Sequence, residues 1–208
     1  MAVDFFEEKR PHNGLTYAEF RQKMTDYVEN TNPEELNEKE KSTYNYAKLN
    51  LHRSKRIERV YHVSDELKSI ISKIKEPQIW MVLTEEWCGD SAQNLPYIVK
   101  IAEENSLIDL KILPRDKNLD IMDQYLTNGV SRSIPKLVAF DEQGHELFQW
   151  GPRPKAAQDL VNELKKSGLE KSDFMEKLHL WYAGNRGKSL EQEFTTLLCS
   201  IAQCSKAS

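Results

Sequence analysis

Residues 79–91 read Ile79-Trp80-Met81-Val82-Leu83-Thr84-Glu85-Glu86-Trp87-Cys88-Gly89-Asp90-Ser91. The first six form a continuous, partly β-branched apolar run, the pattern of a strand buried on both faces. From Ser91 to about residue 105 the pattern becomes that of a helix, with Pro96 inside it. A cysteine at such a strand-to-helix junction meets the free N–H groups and positive dipole end of the helix. Both stabilise a thiolate and lower the thiol pKa from its free value of about 8.5. Glu85, Glu86 and Asp90 put negative charge nearby, which opposes that effect, and they mark the stretch as a surface turn rather than packed interior. Gly89 leaves room for a substrate backbone, and Trp87 supplies an apolar flank.

Downstream, 108–113 is a second buried strand and 119–128 a helix, so the strand–helix–strand order predicts parallel pairing through a right-handed crossover. Segments 136–141 and 146–150 flank the turn Glu142-Gln143-Gly144-His145 and form an antiparallel hairpin. The residues alone therefore predict a mainly parallel sheet with an antiparallel edge. Amphipathic helices follow at 154–167, 172–183 and 190–203. Upstream, a Thr16/Glu19 capping box starts a helix at 16–29, and Asn32-Pro33 starts another at 33–58. A short helix capped by Ser64 ends near Lys75. Three segments result: an N-terminal helical extension at 1–58, a central domain at 59–168, and C-terminal helices at 169–208 packing on that domain.

Composition narrows the function classes. Lys and Arg number 29 against 33 Asp and Glu, a net charge of −4, so no cationic excess exists to track a nucleic acid backbone. Apolar runs fall far short of the roughly 20 residues a membrane helix needs, and the N-terminus lacks the basic and apolar regions of a secretory signal, so a cytoplasmic location is expected. The 3 cysteines suggest no disulfide framework. Cys199 and Cys204, five apart on a helix, lie about 8–9 Å apart by helix geometry and should not pair. The five histidines show no metal-ligand spacing, and no cofactor is expected. The basic run His52-Arg53-Ser54-Lys55-Arg56-Ile57-Glu58-Arg59 reads as a solvated helix face, and Trp150, Trp181 and Tyr182 read as core.

A second motif, Ser131-Arg132-Ser133-Ile134-Pro135, precedes the apolar strand at 136–141; its proline belongs at a strand entrance. With the cysteine turn it resembles the thioredoxin superfamily over about residues 60–168, through Trp87, Cys88, Gly89, Pro96, Ile134, Pro135 and Gly151. The turn, Pro114-Arg115-Asp116 and Trp150-Gly151-Pro152-Arg153-Pro154 are similar to a bacterial thioredoxin-like branch. The resemblance implies an α/β thioredoxin-like fold, a central mixed sheet with helices on both faces and added terminal helices. It also implies a cis Ile134-Pro135 bond opposite the cysteine, and Gly151 at the edge of a substrate groove.

Two departures shape the functional expectation. Ser91 stands where the family has its resolving cysteine, and Val82 where it buries an acid, so internal disulfide formation at this turn is lost together with its proton acceptor. The first reading is monothiol exchange. Cys88 attacks a protein or low-molecular-weight disulfide held beside Ile134-Pro135, an external thiol releases it, and Ser91 assists the thiolate. Trp87, Gly89, Asp90, Arg132, Ile134, Pro135 and Gly151 are the expected substrate contacts, Arg132 being the nearest cation. A second reading is a non-catalytic peptide- or protein-binding module. A third, iron–sulfur carriage, rests on likeness to the Cys-Gly-Phe-Ser turn of monothiol glutaredoxins; Asp90 in place of phenylalanine and the lack of a glutathione-binding pattern weaken it.

Overall fold

A computed structural model describes residues 3–202. Among them four strands, β1 (Gln78–Thr84), β2 (Ile108–Pro114), β3 (Lys136–Asp141) and β4 (Glu146–Trp150), form one sheet in the order β2-β1-β3-β4. β1 pairs with β2 in parallel, while β1–β3 and β3–β4 are antiparallel. The sheet is thus mixed, and the mainly parallel arrangement expected from the residue pattern is corrected. Its cause lies in residues 115–135. The helix expected over 119–128 is only a four-residue helix, Leu119–Met122, followed by a 3-10 turn. Four helical residues span about 6 Å and a seven-residue strand about 23 Å. With no element long enough to carry the chain back along the sheet, it enters β3 from the end at which it left β2. That end also carries the Cys88 turn.

β1 is buried at all seven positions. Its side chains alternate between two cores: Trp80 and Val82 belong to one, and Ile79, Met81 and Leu83 to the other. β2, expected to be buried, is an edge strand with Asp109 exposed; beyond it, among the described residues, Leu15 forms an isolated bridge to Ile112.

In chain order the helices are α1 (Asp4–Glu7), α2 (Tyr17–Asn30), α3 (Glu38–Val60), α4 (Asp65–Ile71), α5 (Gly89–Ala102), α6 (Leu119–Met122), α7 (Lys155–Lys166), α8 (Lys171–Asn185) and α9 (Lys188–Ile201). The Thr16/Glu19 capping box starts α2. α3 begins five residues later than Pro33, because Asn37 and Glu40 form a second capping box while Asn32 caps only a 3-10 turn. Residue 203, the expected end of the last helix, lies outside the described residues, as does Cys204.

The terminal segments are built into the core. Leu67, Ile71, Ile98 and Ile101 pack on one face of the sheet with Phe20 and Ile57 from the N-terminal helices and Leu190, Phe194 and Leu198 from α9. On the other face Phe5 and Phe6 of α1, a helix the sequence reading missed, join Met81, Met122 and Phe140. The expected boundary at 58/59 falls inside α3, whose Tyr44, Ala47, Leu51 and Ile57 are buried. α7 and α8 make a smaller cluster of their own, with Ala157, Val161, Leu178 and Tyr182.

Candidate thiol site

Cys88 is the N-cap of α5, and its sulfur accepts a hydrogen bond from the Ser91 amide at 3.5 Å. From the other side the thiol donates to the Ile134 carbonyl at 3.3 Å. The Ile134-Pro135 peptide is cis, as is Gly151-Pro152. Gly151 has φ +118°, and a Cβ there would lie 2.2 Å from the Pro135 carbonyl oxygen, so this close approach excludes any side chain. β1, β3 and the end of β4 thus bring Cys88, Ile134, Pro135 and Gly151 together at one end of the sheet.

The thiol is not exposed, which corrects the expected surface turn: Cys88 is 7% accessible. Burial first, and the Asp90 charge second, push its pKa up. The Ser91 hydroxyl and amide and the Asp90 amide act in the opposite direction without reversing it. The helix terminus alone therefore does not acidify this thiol. Ser91 is itself buried, and its hydroxyl also hydrogen-bonds Thr84.

What covers the turn comes from the terminal helices. A Cβ on Gly89 would meet the His179 ring of α8 at 3.4 Å and the Arg53 guanidinium of α3 at 3.9 Å, ordinary contact distances, so these two side chains border the space expected for a substrate backbone. Asn50 of α3 donates to the Glu86 carbonyl at 3.0 Å and accepts from Arg53 at 3.2 Å. Burial and then the Arg53 charge lower the His179 pKa to about 4, and its Nδ1 is buried without a hydrogen-bond partner. Asp90, expected to contact substrate, is bound within the protein. Arg153 holds one carboxylate oxygen in an ion pair, both side chains being less than a fifth exposed, and the Tyr182 hydroxyl donates to the other at 2.6 Å. Asn94 joins the network through the Asp90 carbonyl at 2.8 Å and the Tyr182 hydroxyl at 3.1 Å.

On the opposite flank the Arg115 guanidinium stacks 5.2 Å from the centre of the Trp87 ring and donates to the Arg132 carbonyl at 3.1 Å. The buried Glu85 carboxylate accepts from the Asp116 amide at 2.7 Å; burial raises its pKa. The Arg132 side chain turns away to Asp123 at 2.6 and 2.7 Å, and the cation that pairs with Asp90 in the turn is Arg153. Sequence reasoning assigned no role to Arg153, Tyr182, His179, Arg53 or Asn94. The available signal was weak: Arg153 stood in a quoted motif, but the burial that makes Asp90 need a cation was not legible in the sequence. Cys199 packs against the main core, and no group of three potential metal ligands exists among the described residues.

A mixed sheet, a cysteine capping the helix after its central strand, and a proline loop against the sulfur define a thioredoxin-fold protein with one thiol at its site. A family model described as thioredoxin matches residues 36–165, and the chain belongs to that family. A protein of unknown function from Pseudomonas aeruginosa is similar in structure, with TM-score 0.52 and 17% identity over 89% of this chain and 98% of that one. An HIV epitope-scaffold is similar with TM-score 0.50 and 19% identity over 92% and 99% of the two chains. Both likenesses concern the fold. Comparison with curated proteins gives no match. No helix among the described residues is long and apolar enough to cross a membrane.

Proposed function

We propose that the protein carries out monothiol thiol–disulfide exchange through Cys88, held in a closed resting form. The observation supporting this reading is the position of the sulfur between the Ser91 amide and the Ile134 carbonyl. The amide stabilises a thiolate, and the carbonyl belongs to the backbone edge along which an extended substrate pairs. Displacement of the α3 and α8 cover lets solvent reach the thiol, which loses its proton to water because Val82 supplies no carboxylate to accept it. The thiolate attacks a disulfide RS–SR, forming Cys88–S–SR and releasing RS⁻. An external thiolate then attacks the sulfur of the bound SR group, restoring Cys88 and leaving with SR as a new disulfide. Dependence on an external thiol suits a reducing cytoplasm.

The test incubates Cys199→Ser/Cys204→Ser protein with glutathione disulfide and follows the adduct by mass spectrometry. One glutathione on Cys88, forming slowly at neutral pH, faster as pH rises, and removed by excess thiol, is the expected result. Reaction of the unfolded chain alone would overturn the proposal. Insulin reduction coupled to a thioredoxin-type reductase should be near zero, because Ser91 provides no internal exit for the mixed disulfide. The burial and raised pKa of Cys88 favour a second reading, a peptide-binding module in which this thiol is a packing residue. That reading predicts no native adduct at any pH at which the fold persists.

A further inference from the structure

In the basic run of α3, His52, Lys55, Arg56 and Arg59 are exposed, as expected of a solvated face, and Arg53 is the cation that departs from it. Arg53 is half-buried, and burial depresses its pKa. Together with Arg56 it lines a cavity of about 580 Å³ between α3, α5 and the α8–α9 junction, into which Arg186 also projects. That volume lies within the range of about 300–1,000 Å³ typical of small-molecule sites. No carboxylate pairs with any of the three guanidinium groups among the described residues; Arg53 has Asn50 as its hydrogen-bond partner. One acid lines the cavity, Glu191, and its two oxygens already accept hydrogen bonds from the Tyr61 hydroxyl at 2.8 Å and the Ser64 amide at 3.0 Å. The cavity therefore presents three cations against one occupied carboxylate.

Its apolar wall is equally organised. Tyr61 and Tyr97 meet edge to face at 4.6 Å, beside Ile57 and Val60, and Val60 is 59% exposed. Arg56 and Arg186 both act on Tyr97, partly offsetting the rise in pKa that burial gives its hydroxyl. Arg186 takes a left-handed conformation, φ 52°, that favours glycine or asparagine, and Gly187 beside it, φ 83°, is packed so closely on Tyr97 that a Cβ would lie 2.4 Å from the ring. An arginine is thus held at the cavity rim by backbone geometry, where a side chain with less strain would close the helix equally well. Unpaired guanidinium groups around an aromatic wall recognise planar anions by charge-assisted, bidentate hydrogen bonds.

We infer that this cavity binds a small organic molecule carrying a carboxylate or phosphate anion on an apolar or aromatic body. Cys88 does not line it, although Arg53 and Tyr182 belong both to this cavity and to the cover of the cysteine turn; the inference rests on the cavity's own cations and does not require exchange chemistry.

Isothermal titration of the full chain with isophthalate, phenyl phosphate and inorganic phosphate tests the inference. Saturable one-to-one binding of an aromatic probe, with inorganic phosphate weaker by at least about tenfold, is expected, because inorganic phosphate forgoes the apolar wall. Tighter binding of phenyl phosphate assigns a phosphate ligand; tighter binding of isophthalate assigns a carboxylate. Arg56→Gln and Arg186→Asn should each weaken the preferred probe by about tenfold, the loss of one charge-assisted hydrogen bond. Asparagine keeps the left-handed backbone accessible, and melting curves without probe confirm that both variants are folded. Lys55→Gln, on the solvent side of the same helix, should leave affinity unchanged. Absence of saturable binding by every probe, equal affinity for inorganic phosphate, or an equal loss in Lys55→Gln overturns the inference.

Discussion

The two flanks of the cysteine turn are closed by opposite means. On the Trp87 side the partners are Arg115, Asp116 and, through its carbonyl, Arg132; the accompanying ion pair between Arg132 and Asp123 is nearly half exposed. On the Asp90 side they are Arg153, Tyr182, His179 and Arg53, drawn from three separate elements and largely withdrawn from water. On the first flank the contacts around the Arg132–Asp123 pair are screened and weak, although Arg115 and Glu85 are shielded from water. Those of the second are strong because each partner would be costly to leave unpaired. The turn is therefore held shut from the Asp90 side, and access to Cys88 is set by how α3 and α8 sit.

Breaking the Asp90–Arg153 pair should have the largest effect. Arg153→Ala leaves a carboxylate poorly solvated and is expected to destabilise the fold by about 2–3 kcal/mol in urea denaturation, below the full cost of a completely buried pair. Asp90→Asn removes the charge that helps raise the Cys88 pKa, so the pH midpoint of Cys88 alkylation should fall. An unchanged midpoint would mean that desolvation alone sets the thiol.

His179 sharpens the comparison through pH. Its pKa is about 4 in the folded protein against about 6.5 unfolded. Between those values the unfolded chain binds the extra proton, so this residue contributes stability that is full above pH 6.5 and lost as pH falls toward 4. Allowing for partial exposure, the loss should be about 1–2 kcal/mol. In His179→Gln that part of the acid dependence should disappear, and a curve parallel to wild type would remove His179 from the cover.

Smaller effects are expected across the turn. Arg115→Gln forfeits the stack on Trp87 and the bond to the Arg132 carbonyl, about 1 kcal/mol together. Arg132→Ala should change stability by less than about 0.5 kcal/mol and leave Cys88 alkylation unaltered. If Arg132→Ala instead rivals Arg153→Ala, the contrast between the flanks is wrong.

Ser91→Cys addresses the turn itself. Two thiols three positions apart in a first helical turn are within about 5–6 Å at Cβ, near disulfide geometry. Mild oxidation should yield an internal disulfide, read as the loss of two hydrogens by mass spectrometry of the variant also lacking Cys199 and Cys204. Persistently free thiols in a folded protein would show that the buried Ser91–Thr84 contact holds position 91 away from the sulfur.

The sequence alone determined the strands, the junction that places Cys88 at the start of α5, the Ile134-Pro135 loop and the absence of a second thiol at position 91. Each of these is written in neighbouring residues: an apolar run, a capping position, a proline before a strand. Tertiary structure decided the antiparallel entry of β3, the incorporation of both terminal segments into the core, and the burial of the thiol. It also decided which arginine meets Asp90, since Arg132 and Arg153 are alike as residue types. The choice depends on the Gly151-Pro152 segment bringing Arg153 across to α5, 63 positions from its partner. Burial and charge compensation act between residues distant in the chain, and local pattern carries no record of the distance between them.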